Sequence, residues 1–222
     1  MRAVIALAFA ASTIAAAPAW AETISLKTSS GPATLVLSDA LGAHPRFATF
    51  LREDAREIAL DYETENARRI RVEDQATYVD GTYASVFRRI EADLGGAAGA
   101  NVYVEGLVWD GGAEDFLRLD DLFDAGEARD EALIALSRHL REGIRTQVWG
   151  GRIAKDYEPL VEQATSPDAA VLSNFTLKPG AAGLTFHYSP FEVAPYARGA
   201  IAVDAPTAVF AKWLNRKGQS LF

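Results

Sequence analysis

Residues 82–94 and 101–110 are two strand-length runs separated by six small residues, 95–100. A chain with that arrangement is expected to contain a β-hairpin, because alternating side chains favour a pleated strand and the glycines turn the chain back. In the return run Val102, Val104 and Val108 share one face, while Tyr103, Leu107 and Trp109 take the other. Apolar residues on both faces predict a strand covered from two sides. Asp80-Gly81 is a second hairpin signal. It joins the first long run to an earlier alternation in which Ile70 and Val72 are flanked by Arg69, Arg71 and Glu73.

Helical periodicity brackets this β-rich middle. Phe47, Leu51, Ala55, Ile58 and Tyr62 recur at steps of three and four, with Pro45 placed for a first turn. Leu133, Leu136, Leu140, Ile144 and Val148 make a second stripe, ended by Gly150-Gly151. A short helix is expected near 157–163 and a last one opening at Pro206 with Val209, Phe210, Trp213 and Leu214. Short strands are expected at 23–28 and 33–37, at 115–119, at 174–178 and 183–188 around Pro179-Gly180, and at 200–203. The fold class is therefore α+β, with antiparallel hairpin-rich sheets packed on two or three helices and no train of βαβ units. A boundary near Gly111-Gly112 divides it into 22–111 and 112–222.

The first 21 residues read as an export signal. Arg2 is followed by an apolar run and then Pro18, and Ala19-Trp20-Ala21 places small residues where a signal peptidase cuts. Cleavage after Ala21, a mature chain starting at Glu22 and a periplasmic location are expected, with no membrane span in the mature chain. The chain has 222 residues, no cysteine and a formal charge of −8. Lack of cysteine excludes a disulfide framework, a thiolate metal site and thiol catalysis. The acidic balance argues against nucleic acid, whose phosphates need clustered cations.

Catalytic signatures are sparse. His44, His139 and His187 have no metal-ligand spacing, so neither a metal nor a cofactor is expected. No Gly-x-Ser-x-Gly elbow is present. The glycine cluster at 95–99 precedes a strand and lacks a nearby lysine, which fits a turn and not a phosphate loop. Adjacent acids such as Glu53-Asp54 diverge in direction and read as solvated faces or helix caps. No catalytic residue is assigned. The aromatic residues near the C-terminus are the candidate binding group: Tyr188, Phe191 and Tyr196, with Glu192 and Arg198 beside them. Tyrosine offers an apolar face and a hydroxyl, which suits recognition of proteins or sugars, although the same rings could fill a core.

Asn174-Phe175-Thr176-Leu177, Gly183-Leu184-Thr185-Phe186-His187-Tyr188 and the run from Phe191-Glu192 to Arg198-Gly199, followed by Val203 and Pro206, resemble the C-terminal domain shared by RsiV-type anti-sigma factors and PdaC-type deacetylases. Leu117-Arg118-Leu119-Asp120-Asp121-Leu122-Phe123 is similar to that family's Leu-x-Leu-x-Asp-Leu-Phe segment. Residues 23–110 are similar to the partner domain that usually precedes it. One departure is Ala98, where the family turn often carries histidine, so no role of that histidine carries over. The sigma-binding region, the membrane span and the metal-dependent deacetylase domain of those relatives have no counterpart in the sequence. The resemblance implies an extracytoplasmic module that binds a lysozyme-type protein or the cell-wall glycan. The alternatives are a wall hydrolase or esterase, using carboxylates or a Ser/His site with His187 or Glu192, and a structural envelope protein.

Overall fold

The computed structural model describes residues 21–28, 31–95 and 99–222. The export segment before Ala21, Ser29-Ser30 of the first turn and 96–98 of the glycine-rich turn lie outside them, so the signal reading and Ala19 are not addressed. Ala21 begins the first strand.

Strands β1 (Ala21–Lys27) and β2 (Pro32–Ser38) pair antiparallel. Helix α1 (Pro45–Thr64) follows, and strand β3 (Arg69–Val79) returns parallel to β2. This parallel pair is a local correction to the hairpin-only expectation: a strand–helix–strand crossover lays the third strand in the same direction as the second. β4 (Tyr83–Asp93), β5 (Asn101–Asp110) and the two-residue β6 (Asp115–Phe116) complete a six-stranded sheet in sequence order. β6 is shorter than the strand expected at 115–119, because Leu119–Leu122 turns into a 3-10 segment in which the Asp121 carboxylate accepts the Arg118 N–H at 2.9 Å. Between Ala76 and Tyr78 the register of β3 shifts by one residue, a bulge at Thr77.

Helix α2 (Glu127–Gly143) ends in a wider π turn, Ile144–Val148, so the apolar stripe expected at 129–148 is continuous but its last turn is loosened. Helix α3 (Glu158–Ala164) precedes a second sheet of β7 (Phe175–Leu177), β8 (Gly183–Tyr188) and β9 (Ile201–Pro206), all antiparallel. The terminal helix is not where the sequence predicted it. Thr207–Val209 and Ala211–Trp213 are single 3-10 turns, and helix α4 spans Arg216–Leu221. Leu214 is pulled extended by a bridge to Phe123. Asn215 then donates to the carbonyls of Asp121 and Phe123, both at 3.0 Å, and caps α4 by accepting the Gly218 N–H.

α1 lies on one face of the large sheet and buries Phe47, Leu51, Ala55 and Ala59 against β2, β3 and β4. Phe47 stacks on Trp109 at 5.4 Å. The other face receives the three-stranded sheet and α2, whose Leu133, Leu136, Leu140 and Ile144 share a core with Val108, Phe175, Phe186 and Val203. Each fully buried leucine of this stripe contributes about 1.5–3 kcal/mol. β5 is thus covered on both sides towards its C-terminal end, as its two apolar faces require.

Candidate functional site

Where β5 leaves the sheet edge, the fold opens. An open cleft of about 850 Å³ runs along this edge between α1 and the segment 169–175. Phe50, Ile58, Leu107 and Phe116 supply its apolar lining; Asp54, Glu105, Arg118, Asp120, Ser173 and Asn174 supply its polar groups. Clefts of this size with few convergent polar groups are the usual ligand sites of globular proteins.

The edge exists because β6 pairs only with Trp109 and Asp110. Backbone groups further back along β5 are closed by side chains. Asn174 accepts the Gly106 N–H through Oδ1 at 2.6 Å and donates through Nδ2 to the Val104 carbonyl at 3.0 Å. Ser189 Oγ accepts the Val104 N–H at 3.2 Å. Glycine is required at 106, since a Cβ there would lie 2.3 Å from the Phe175 carbonyl oxygen.

Beneath the cleft sits Arg88, fully buried on the α1 face of β4. Its Nε and Nη2 donate to the two Asp74 oxygens at 2.7 and 3.0 Å, its Nη1 donates to Asp54, and Glu105 lies 4.0 Å away. Burial would lower the Arg88 pKa, but the bonds to Asp74 and Asp54 more than reverse it, so the guanidinium stays charged. Loss of solvent raises the Glu105 carboxyl above the usual range, Asp54 and Asp74 push the same way, and Arg88 opposes them. One cation thus faces three carboxylates, and the cleft floor is negative. This corrects the reading of Asp54 as part of a solvated face: it turns inward to the buried cation.

The five residues proposed from sequence fall elsewhere. Tyr188 is a correction, because β8 alternation turns it into the α2 core, where it is 3% exposed. Its hydroxyl is buried without a hydrogen-bond partner, and burial followed by the Glu192 charge raises its pKa. Phe191 is exposed, held at φ 75°, and its ring lies 5.3 Å from that of Tyr196. Tyr196 donates to the Ala100 carbonyl. Glu192 accepts the Ser189 N–H at 2.7 Å, and Arg198 is exposed.

Each histidine serves packing. His187 is buried between the sheets, 2.9 Å from the Thr176 hydroxyl and against the Phe87 ring, and burial pulls its pKa down to about 4. Thr176 is 1% exposed, so this hydroxyl–imidazole pair is closed to a substrate. His44 and His139 contact the carbonyls of Asp80 and Asp204, each at 2.8 Å. Among the described residues no group of three or more His, Asp or Glu is placed to hold a metal, and no helix is long and apolar enough to cross a membrane.

Sequence reasoning missed Asn174, Arg88 and Glu105. The signal for Arg88 was present: Ala84, Val86, Ile90 and Ala92 form an apolar period-two row with an arginine at its centre.

Residues 120–208 match the family described as "Protein of unknown function (DUF3298)". This stretch is a DUF3298 domain. It supplies one wall of the cleft, with Asp120, Ser173, Asn174 and Phe175, and the six-stranded sheet with α1 supplies the other. Two solved structures share the fold. A DUF3298 family protein from Pseudomonas aeruginosa PAO1 is 12% identical with a TM-score of 0.63, over 91% of this chain and 94% of that one. A DUF3298 family member from Bacteroides fragilis NCTC 9343 is 15% identical with a TM-score of 0.56, over 88% and 92%. No curated protein matches the sequence.

Proposed function

We propose that this chain is an exported, periplasmic binding module of the RsiV-like and PdaC-like kind, and that the cleft along β5 is where it holds a lysozyme-type protein or the cell-wall glycan. The observation that carries the reading is the cleft itself: an open, aromatic-edged groove whose floor carries an excess of carboxylates over one buried arginine. Lysozymes are commonly basic, and a chain of formal charge −8 attracts such a partner at long range. The exposed Phe191 ring on Tyr196 offers a second apolar contact on the same chain.

Titration calorimetry of the mature protein with hen lysozyme and with purified muropeptides tests this reading. Heat with either, weakened by added salt for lysozyme, is expected; no heat with both rejects it.

A hydrolase reading has one observation in its favour. Asp54 and Glu105 both border the cleft, Asp54 accepting from Arg88 while burial pushes the Glu105 carboxyl up, and a pair of carboxyl groups in unlike surroundings is what acid–base chemistry on glycans uses. Incubation with purified sacculi decides it: release of muropeptides, abolished by Glu105→Gln, would replace the binding module with an enzyme.

A further inference from the structure

We propose that the open part of the β5 edge takes up an extended, basic segment of a partner protein as an added strand. The inference rests on the reading of the cleft as a ligand site and says what enters it.

The register of the sheet decides which backbone groups are available. Gly111 N–H donates to the Thr82 carbonyl at 2.7 Å, and from this pair the alternation along β4 and β5 turns the odd residues of β5 toward β4 and the even ones outward. Among those outward groups, both of Val104 and the N–H of Gly106 are closed by Ser189 and Asn174, and the Val108 carbonyl accepts the Leu117 N–H at 2.8 Å. The Gly106 carbonyl and the Val108 N–H have no partner among the described residues, and both residues border the cleft. A carbonyl and an N–H flanking one residue are what a single residue of a parallel strand, or the two neighbours of the facing residue in an antiparallel one, satisfies. The N–H and C=O of an acetamido group on a wall glycan point in opposite directions, so one such group cannot meet both. Extended peptides bind exposed sheet edges in this way, with affinity from the ladder and specificity from alternate side chains.

The side chains of such a guest would alternate between α1 and the 169–175 wall. Along the α1 side the cleft changes character. Phe50 packs on Phe116, which pairs with Trp109, so the apolar end lies toward the end of β5. Asp54 is bound to Arg88, whose cross-strand partner is Glu105, so the acidic end lies four residues before Trp109 and two before Leu107, which also lines the cleft. Arg88 is already engaged by Asp74, which leaves the cleft short of positive charge at that end. A lysine or arginine two positions from an aliphatic residue fits both ends at once.

The test uses the mature protein and the capped peptide TKTLTKT, which presents lysine and leucine on one face in either direction. Its controls are TETLTET and a TKTLTKT whose alternate backbone amides are N-methylated. Expected are saturable binding, a Val108 amide whose hydrogen exchange slows about tenfold or more in the complex, and affinity reduced about tenfold by Glu105→Gln, by the glutamate peptide and by N-methylation. Equal binding of the glutamate or N-methylated peptide, or an unchanged Val108 amide, overturns the proposal. If muropeptides perturb Val108 and the peptide does not, the cleft is a glycan site and the strand-addition inference alone falls. Protection of Val108 that grows with protein concentration without peptide assigns the edge to a second copy and likewise overturns it. No perturbation by peptide, muropeptide or lysozyme removes the cleft reading with it.

Discussion

Arg88 and Asp74 form a two-toothed ion pair within the six-stranded sheet, both oxygens of the carboxylate engaged and both side chains almost sealed from water. Removing one partner strands the other charge in a dry site. Asp74→Ala should therefore lower unfolding free energy by about 3–5 kcal/mol, whereas the paired change Arg88→Met with Asp74→Leu should recover much of that loss. Urea unfolding of the two variants checks this; a loss below about 1 kcal/mol for Asp74→Ala would show that the cation has other support.

The pH dependence of stability follows from His187. Its pKa of about 4 in the folded protein lies below the ordinary 6.5, because burial disfavours the imidazolium. The unfolded chain takes up that proton first as pH falls. The stabilisation is fully present above 6.5 and is lost as pH drops from 6.5 toward 4, by about 3 kcal/mol in all. His187→Gln should flatten this part of the curve. Urea midpoints of both proteins at pH 7.5 and 4.5 make the comparison, and an equal decline in both would remove His187 as the cause.

Gly106 is held against the Phe175 backbone, where a methyl group would approach carbonyl oxygen and carbon at 2.3 and 2.4 Å. Backbone cannot swing aside as a flexible side chain can. Gly106→Ala should cost about 1–3 kcal/mol, and Gly42→Ala, where nothing lies within 4 Å of the added carbon, should be nearly neutral. Thermal unfolding of the pair checks it, and similar midpoints for both variants would contradict the packing described.

The Tyr188 hydroxyl is the buried side-chain polar atom without a partner among the described residues. Tyr188→Phe should leave stability unchanged or raise it by up to about 1 kcal/mol, the reverse of the usual loss when a bonded phenol is trimmed. A decrease of more than about 1 kcal/mol in urea unfolding would mean that the hydroxyl does hold a partner, such as the nearby Glu192.

Periodicity made the elements legible, and long-range pairing hid the site. The α1 stripe from Phe47 to Ala55 and the α2 stripe from Leu133 to Val148 declare their buried faces within a few turns, as do the turns at Asp80-Gly81 and Pro179-Gly180. The parallel pairing of β2 with β3 left no such mark, because it depends on α1 carrying the chain back along the sheet and on no local turn residue. The C-terminal helix moved because Asn215 finds its partners some ninety residues upstream, at Asp121 and Phe123. Tyr188 and Phe191 look equally fit for recognition in one dimension; the strand pleat buries the first and a left-handed turn exposes the second. Asn174 heads the motif that carried the family resemblance, but its contacts with Val104 and Gly106 cross about seventy residues and have no local signature.

The Ser85 hydroxyl accepts the Leu177 N–H at 2.9 Å deep between the two sheets, and Val108 belongs to the same core as α2. A fragment cut to residues 120–208 would thus carry a flayed face, its β7 amide and its leucine-rich interior opened to water. Shortened versions of this protein should be designed to keep β4 and β5, since the borders of sequence similarity are not the borders of what can fold by itself.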